Sequence, residues 1–221
     1  MPSLLDLLLP TSCTVCGEPG ESLCVSCEGA LKRLGPILCE RCGAPTAWPV
    51  ERCLECSGRR LGFARARAAV AYDDAAKRFV SAWKERGQRA LARIAAEIVA
   101  GAVPPPNAYT LTFVPADQGR LLERGHNPAR RLALELGSEW QLPVVDLLRR
   151  RFGVSRQRGL SLADRRRNVR GIFEPAGPAP RAVVLLDDVY TSGATVSAAA
   201  AALRRAGARR VEVVTFARAV R

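Results

Sequence analysis

Two groups of residues in this sequence could do chemistry. The first is a set of eight cysteines, all between Cys13 and Cys56 and all in C-x2-C pairs: Cys13/Cys16, Cys24/Cys27, Cys39/Cys42 and Cys53/Cys56. A C-x2-C turn aims two thiolates at one point, and two such turns complete the tetrahedral four-sulfur site that zinc prefers. Gly17 and Gly43 follow the second cysteine of their pairs, where a knuckle welcomes a residue free to take positive φ. The simplest arrangement is two ribbons in tandem, Cys13, Cys16, Cys24 and Cys27 holding one ion and Cys39, Cys42, Cys53 and Cys56 the other. An interleaved pairing, first with third and second with fourth, stays open at this point. Disulfides would need an oxidising compartment, and no export signal is visible. A thioredoxin-like site uses one such pair, not four. Four thiolates would also suit an iron–sulfur cluster, but the regular paired spacing favours zinc. So short a segment, with few large apolar side chains, lacks a core of its own. Two structural zinc ions would supply the missing energy, about 10–16 kcal/mol in small modules. The ribbon is not basic, which suits a scaffold or protein contact.

The second group is the string Val183-Val-Leu-Leu-Asp187-Asp188-Val-Tyr-Thr191-Ser192-Gly193-Ala194-Thr195. The apolar run reads as a parallel strand buried on both faces. Two acids stand where that strand leaves its sheet, and small residues then lead into a helix start. Ligands of α/β sheets bind at the carboxyl ends of strands. A helix start offers unpaired N–H groups and a positive dipole end, which suit a phosphate. The expected cradle is Thr191, Ser192, Gly193, Ala194 and Thr195, with Gly193 allowing close approach of the backbone. Asp187 and Asp188 would repel a phosphate. Their natural partners are sugar hydroxyls, met directly or through Mg²⁺. Acids for a ribose beside a cradle for its 5-phosphate describe a phosphoribosyl pocket. There is no Walker A loop, and one histidine without ligand neighbours outside the cysteines argues against a metal hydrolase.

The elements that must position these groups follow from periodicity. Residues 66–72 read as a strand, 73–86 as a helix with an apolar stripe at Ala76, Phe79, Val80 and Trp83, and 88–102 as a second helix. Val103–Asn107 is a rigid linker. Tyr109–Val114 is a strand ending at Pro115. A polar loop, a helix near 127–138 and a strand over 143–148 follow, and residues 174–181 form a break. Ala182–Leu186, Thr195–Ala206 and Val211–Phe216 make a right-handed strand–helix–strand unit, with Gly207 ending the helix. The expected class is therefore α/β with a mainly parallel sheet. The domains divide as 1–58, a double zinc ribbon, and 62–221, with the junction at Ser57–Gly62.

Charge is divided just as unevenly. The 221 residues carry a net charge of +13. Residues 1–62 hold six Lys/Arg against seven Asp/Glu, and residues 63–221 hold twenty-eight against fourteen. Excess positive charge favours anionic ligands such as nucleic acid or diphosphate. Residues 149–170 hold nine arginines and one acid, Asp164. Such a run repels itself unless an anion neutralises it, and the guanidinium fork matches phosphate oxygens. Arg149, Arg150 and Arg151 are the first candidates for a single-stranded DNA backbone or a diphosphate. No segment approaches a membrane span, and the opening Met1–Pro10 reads as a short packed helix and not a signal, so the expected location is cytoplasmic.

The string Val183–Thr195 resembles the motif by which type I phosphoribosyltransferases bind 5-phosphoribosyl 1-diphosphate (PRPP). The resemblance extends to the ComF family of competence-related proteins over about residues 12–218. It is carried by the tandem C-x2-C head, Lys84 with Gly87, Val114-Pro115 followed by Arg124-Gly125 and Asn127, and Gln157, Leu160, Arg165, Asn168-Val169 and Phe173. The sequence departs from that pattern at His126, where an aromatic is usual, at Pro128 in place of Gln, and at Ser192 in place of Thr. His126 reads as a structural substitute. The resemblance implies a type I phosphoribosyltransferase-like fold, PRPP bound with Mg²⁺, and a diphosphate-facing loop at Pro115–Asp117 with charge from Arg120 and Arg124. It also implies a mobile hood over residues 149–170 that includes Gln157, Arg165 and Asn168. Two functions follow as expectations: handling of single-stranded DNA in uptake, alongside a competence helicase or DNA-processing partner, or turnover as a phosphoribosyltransferase on a nucleobase or amine.

Overall fold

The computed structural model of the protein describes residues 11–106, 110–151 and 171–220. In chain order its elements are α1 (Val25–Ala30), β1 (Arg65–Ala71), α2 (Asp74–Lys84), α3 (Leu91–Ala102), β2 (Thr110–Phe113), α4 (Gln118–Arg124), α5 (Pro128–Glu139), β3 (Leu148–Arg150), β4 (Phe173–Pro175), β5 (Ala182–Tyr190), α6 (Ala194–Arg205) and β6 (Arg210–Arg218). β1, β6, β5 and β2 form a parallel four-stranded sheet in that order, and β3 and β4 an antiparallel pair. The α/β class with a parallel sheet between helices is as the sequence leads one to expect.

The alternation of β5 decides the layers. Val184 and Leu186 point to one face, against Phe79 and Trp83 of α2, Leu91 of α3 and Leu132 and Leu136 of α5. Val183 and Leu185 point to the other, against Val196, Ala199, Ala200 and Leu203 of α6. Successive side chains of a strand alternate, so a central parallel strand must be apolar throughout. On the first face Phe79 and Phe216 stack with ring centroids 4.9 Å apart, and Trp83 meets Phe216 edge-on. The ribbon shares both cores. Cys13, Leu23, Cys27 and Leu31 join the first layer, and Cys39, Cys42, Ala44 and Cys56 the second. Gly43 shows how close this packing is: at φ 69°, a Cβ there would lie 2.5 Å from the Ala66 carbonyl of β1.

Three readings of local structure need correction. The polar loop after Pro115 contains α4, whose turn closes on Gly125 at φ 66°. The expected strand over 143–148 does not form. Pro143 and Val145 follow β2 for a single bridge, Leu111 with Val144, and only Leu148 lies in a strand. Proline has no N–H to continue a ladder there. β5 also runs four residues beyond the expected end at Leu186, so both acids lie within it. α5 begins as expected near 127, with the Asn127 side chain accepting from the Ala129 and Arg130 amides. The expected helix at Met1–Pro10 lies outside the described residues.

Candidate functional site

β2 ends at Phe113, opposite Leu186, whereas β5 continues against β6 alone: Asp187 opposite Thr215, Val189 opposite Ala217 and Tyr190 opposite Arg218. The end of β5 therefore projects past its neighbour and one wall of a cavity is missing. The chain after β2 fills that wall from a distance, through Val114–Asp117 and α4. The cavity is about 770 Å³ and is lined by Asp187, Asp188, Thr191 and Thr195, by Pro115–Asp117, by Arg120 and Arg124, and by Tyr72, Lys84, Arg150 and Arg151.

Its charges are largely paired. Asp188 is buried and its Oδ2 lies 2.6 Å from Lys84 Nζ at the end of α2. Asp187 is half-buried and accepts the Asp188 amide at 3.0 Å. Arg124 is gripped by Glu85 through Nε at 2.9 Å and Nη2 at 2.6 Å. Arg150 reaches Asp117 at 3.4 Å, and Arg151 pairs with Glu174. Arg120 is exposed on α4 and makes no ion pair among the described residues. The cavity thus offers two carboxylates, several guanidinium groups, and hydroxyls at the start of α6.

The structure brings together Asp187, Asp188, Thr191, Thr195, Arg120 and Arg124. Ser192, Gly193 and Ala194 form the turn behind them. The Ser192 hydroxyl accepts the Ala194 amide at 3.4 Å, and Gly193 caps α6 at φ 70°. The three arginines of the basic run divide. Arg149 is exposed on β3 away from the cavity wall, while Arg150 and Arg151 face it. Gln157, Arg165 and Asn168 lie outside the described residues. His126 is a buried clasp: its ring nitrogens lie 3.0 Å from the carbonyl oxygens of Arg124 and Trp83. Tyr72 was not legible as a lining residue, although the rule that carboxyl ends of strands build sites applies to it as it does to Asp187. Glu85 carried no signal beyond its place beside Lys84.

The cysteines form two groups in sequence order, Cys13, Cys16, Cys24, Cys27 and Cys39, Cys42, Cys53, Cys56. The interleaved pairing is thereby settled against. A tetrahedral ion with Zn–S of about 2.3 Å requires sulfur–sulfur separations of about 3.8 Å. The observed separations are 3.8 Å for Cys16/Cys24, 3.6 Å for Cys39/Cys56, 3.5 Å for Cys42/Cys53 and 4.0 Å for Cys53/Cys56. The residues present fit two structural zinc ions. Burial pushes the Cys13 and Cys39 thiols up. Backbone N–H donors outweigh it, from Cys16, Cys24 and Val15 at the first and from Cys42, Cys53 and Arg41 at the second, and bring them down to about 6 and about 7. Burial prevails at Cys27, pushed up to about 12.

A parallel α/β sheet with a cysteine-rich double ribbon seated on it is the class that this fold defines. A family model described as a double zinc ribbon domain matches residues 4–57. Over 199 residues the chain is 27 % identical to the competence protein ComFC of Streptococcus pneumoniae, covering 89 % of this chain and 87 % of that one. It is 28 % identical over 211 residues to competence protein F of Haemophilus influenzae, covering 89 % and 90 %. It is 27 % identical over 223 residues to the DNA utilization protein YhgH of Salmonella typhimurium, covering 94 % and 96 %. The chain is similar to ComF competence proteins over most of its length, in keeping with the resemblance in its sequence. Among the described residues, no helix is long and apolar enough to cross a membrane.

Proposed function

We propose that this protein binds PRPP with Mg²⁺ in the cavity at the end of β5 and handles single-stranded DNA during DNA uptake. The observation that carries the first half is the convergence of Asp187 and Asp188 with Thr191 and Thr195 on one cavity. The carboxylates suit ribose hydroxyls or a Mg²⁺ ion shared with the diphosphate, and the start of α6 suits the 5-phosphate. Arg120, Arg124, Arg150 and Arg151 suit the diphosphate. In this reading residues 62–221 are a type I phosphoribosyltransferase-like domain behind a ribbon of residues 1–58. The uptake role is supported by the names of the relatives. Val25, Trp48 and Leu54 of the ribbon are exposed, which suits contact with a helicase or another DNA-processing protein.

Calorimetry of wild type and of D187N/D188N with PRPP and Mg²⁺ tests the pocket. The double variant should lose at least about tenfold in affinity, as expected for hydrogen bonds to charged groups. Unchanged affinity would remove the assignment. The guanidinium groups also favour a second reading, turnover as a phosphoribosyltransferase. An acceptor nitrogen would bond to the anomeric carbon as the bond to diphosphate breaks, its proton leaving to solvent and pyrophosphate departing with the metal. Pyrophosphate release in the presence of nucleobases, amines or DNA distinguishes turnover from binding alone.

A further inference from the structure

Arg218 ends β6 and is 1 % exposed. Burying a guanidinium is costly unless it is paired and hydrogen-bonded. Nη1 and Nη2 of Arg218 are, whereas Nε has no partner among the described residues, and those partners show what the side chain is for. Towards the ribbon it donates to the Cys42 carbonyl at 2.8 Å, while Nη2 lies 3.7 Å from Cys42 Sγ and 2.7 Å from Glu55 Oε2. Towards the sheet its guanidinium carbon sits 4.5 Å from the centroid of the Tyr190 ring. Tyr190 is the last residue of β5, and its hydroxyl occupies the space a Cβ on Gly193 would need, at 2.2 Å. Gly193 is the cap from which α6 starts. A second strut runs beside the first. Arg59, just past Cys56, donates Nη1 to the Glu55 carbonyl at 3.3 Å and Nη2 to the Ser192 carbonyl at 2.6 Å. The first ribbon is placed differently. It packs beside α2, where Arg78 donates to the Val15 carbonyl at 3.1 Å.

The second four-cysteine site and the turn at the cavity are therefore joined by two arginines and one ring. Four thiolates about one zinc ion carry a net charge of about −2, which suits the buried cation. Partners of this kind outside a metal's ligand set fix the ligands and are fixed by them.

We propose that Arg218 and Arg59 are positioning residues through which the second four-cysteine site sets the conformation of the turn Thr191–Thr195, so that metal at this site and ligand in the cavity at the end of β5 stabilise each other. The ligand half rests on the PRPP reading above; the structural half does not.

The experiment uses full-length wild type, R59A and R218K, with amide hydrogen exchange over residues 190–196 and mass-spectrometric alkylation rates of individual cysteines. Exchange over residues 190–196 should rise at least about fivefold in both variants, at the lower end of usual site coupling, while β2 stays unchanged. In wild type, PRPP with Mg²⁺ should slow alkylation of Cys42 and Cys53 by a similar factor and leave Cys16 and Cys24 unaffected. Both variants should lose that protection, which a merely structural arginine would not control. Should R218K fail to fold, R59A carries the same comparison from a half-buried position. Unaltered exchange over 190–196 overturns the tie. Tight PRPP binding by wild type without slower alkylation of Cys42 and Cys53 overturns the coupling. If wild type binds no PRPP by calorimetry, the pocket reading is what fails, and the exchange comparison, which needs no ligand, still decides the tie.

Discussion

Gly193 meets two demands at once. Its φ of 70° lies in the left-handed region, and a Cβ on it would stand 2.2 Å from the Tyr190 hydroxyl. For G193A the first demand alone costs about 1–2 kcal/mol, and the second forces the buried Tyr190 ring off the Arg218 guanidinium. G193A should lower stability by about 2–4 kcal/mol in urea denaturation. The Tyr190 ring carbons Cζ and Cε2 would lie 2.4 and 2.9 Å from the same Cβ, so the whole ring must go. With Y190A in the same chain the double variant should cost less than the sum of the two single ones, and strict additivity would refute the contact. A glycine at this helix start was legible from the string alone. What fills the space beside it was not, because that depends on β5 continuing to Tyr190 and on a strand distant in sequence. Arg218 did leave a trace: a cation ending the strand Val211–Ala217, whose one other charge is Glu212 near its start, must find a partner if the strand is buried.

At the scale of elements, α2 controls the cavity with its last turn. Lys84 holds Asp188, and Glu85, the residue after the helix, holds Arg124 in a two-pronged pair. An incoming diphosphate must take Arg124 from Glu85. E85Q keeps the shape and removes the competing charge. Its affinity for inorganic pyrophosphate should rise about three- to tenfold, the size expected for a partly exposed charge-assisted pair, measured by calorimetry. An affinity equal to that of wild type would show that Arg124 does not meet the anion. The helix itself was plain in the sequence, since Phe79, Val80 and Trp83 repeat on one face. β5, α6 and β6 were plain for the same reason: one apolar run buried on both faces, an alanine-rich helix and a second run. α4 was not, because seven residues with no buried side chain leave no periodicity to read. Residues 143–148 misled in the other direction. Their apolar character comes from packing, Val144 beside β2 on the first core and Leu147 and Leu148 in the second, and only Leu148 belongs to a strand.

Across the whole molecule, charge and architecture divide along different lines. The ribbon segment is close to neutral, residues 63–221 carry twenty-eight basic against fourteen acidic side chains, and yet each ribbon shares a core with one face of the sheet. The basic surface, not the ribbon, is thus where a nucleic acid would be held. For single strands, the logarithm of affinity falls with the logarithm of salt by about 0.7 per phosphate neutralised. Arg149, Arg150 and Arg151 together would flatten that slope by at most about 2 on conversion to alanine. They should not contribute equally. Arg150 is engaged with Asp117 and lies over the Phe173 ring, and Arg151 is engaged with Glu174, whereas Arg149 stands exposed on the outer side of β3. A phosphate gains most from the cation that has least to give up. R149A alone should therefore flatten the salt dependence of oligothymidine binding by about 0.7, followed by fluorescence anisotropy between low and physiological salt, and leave PRPP affinity as it was. R150A and R151A should weaken PRPP as well, because both line the cavity. Binding that is insensitive to salt, or that survives the triple change with its slope intact, would place the DNA on another face of the protein.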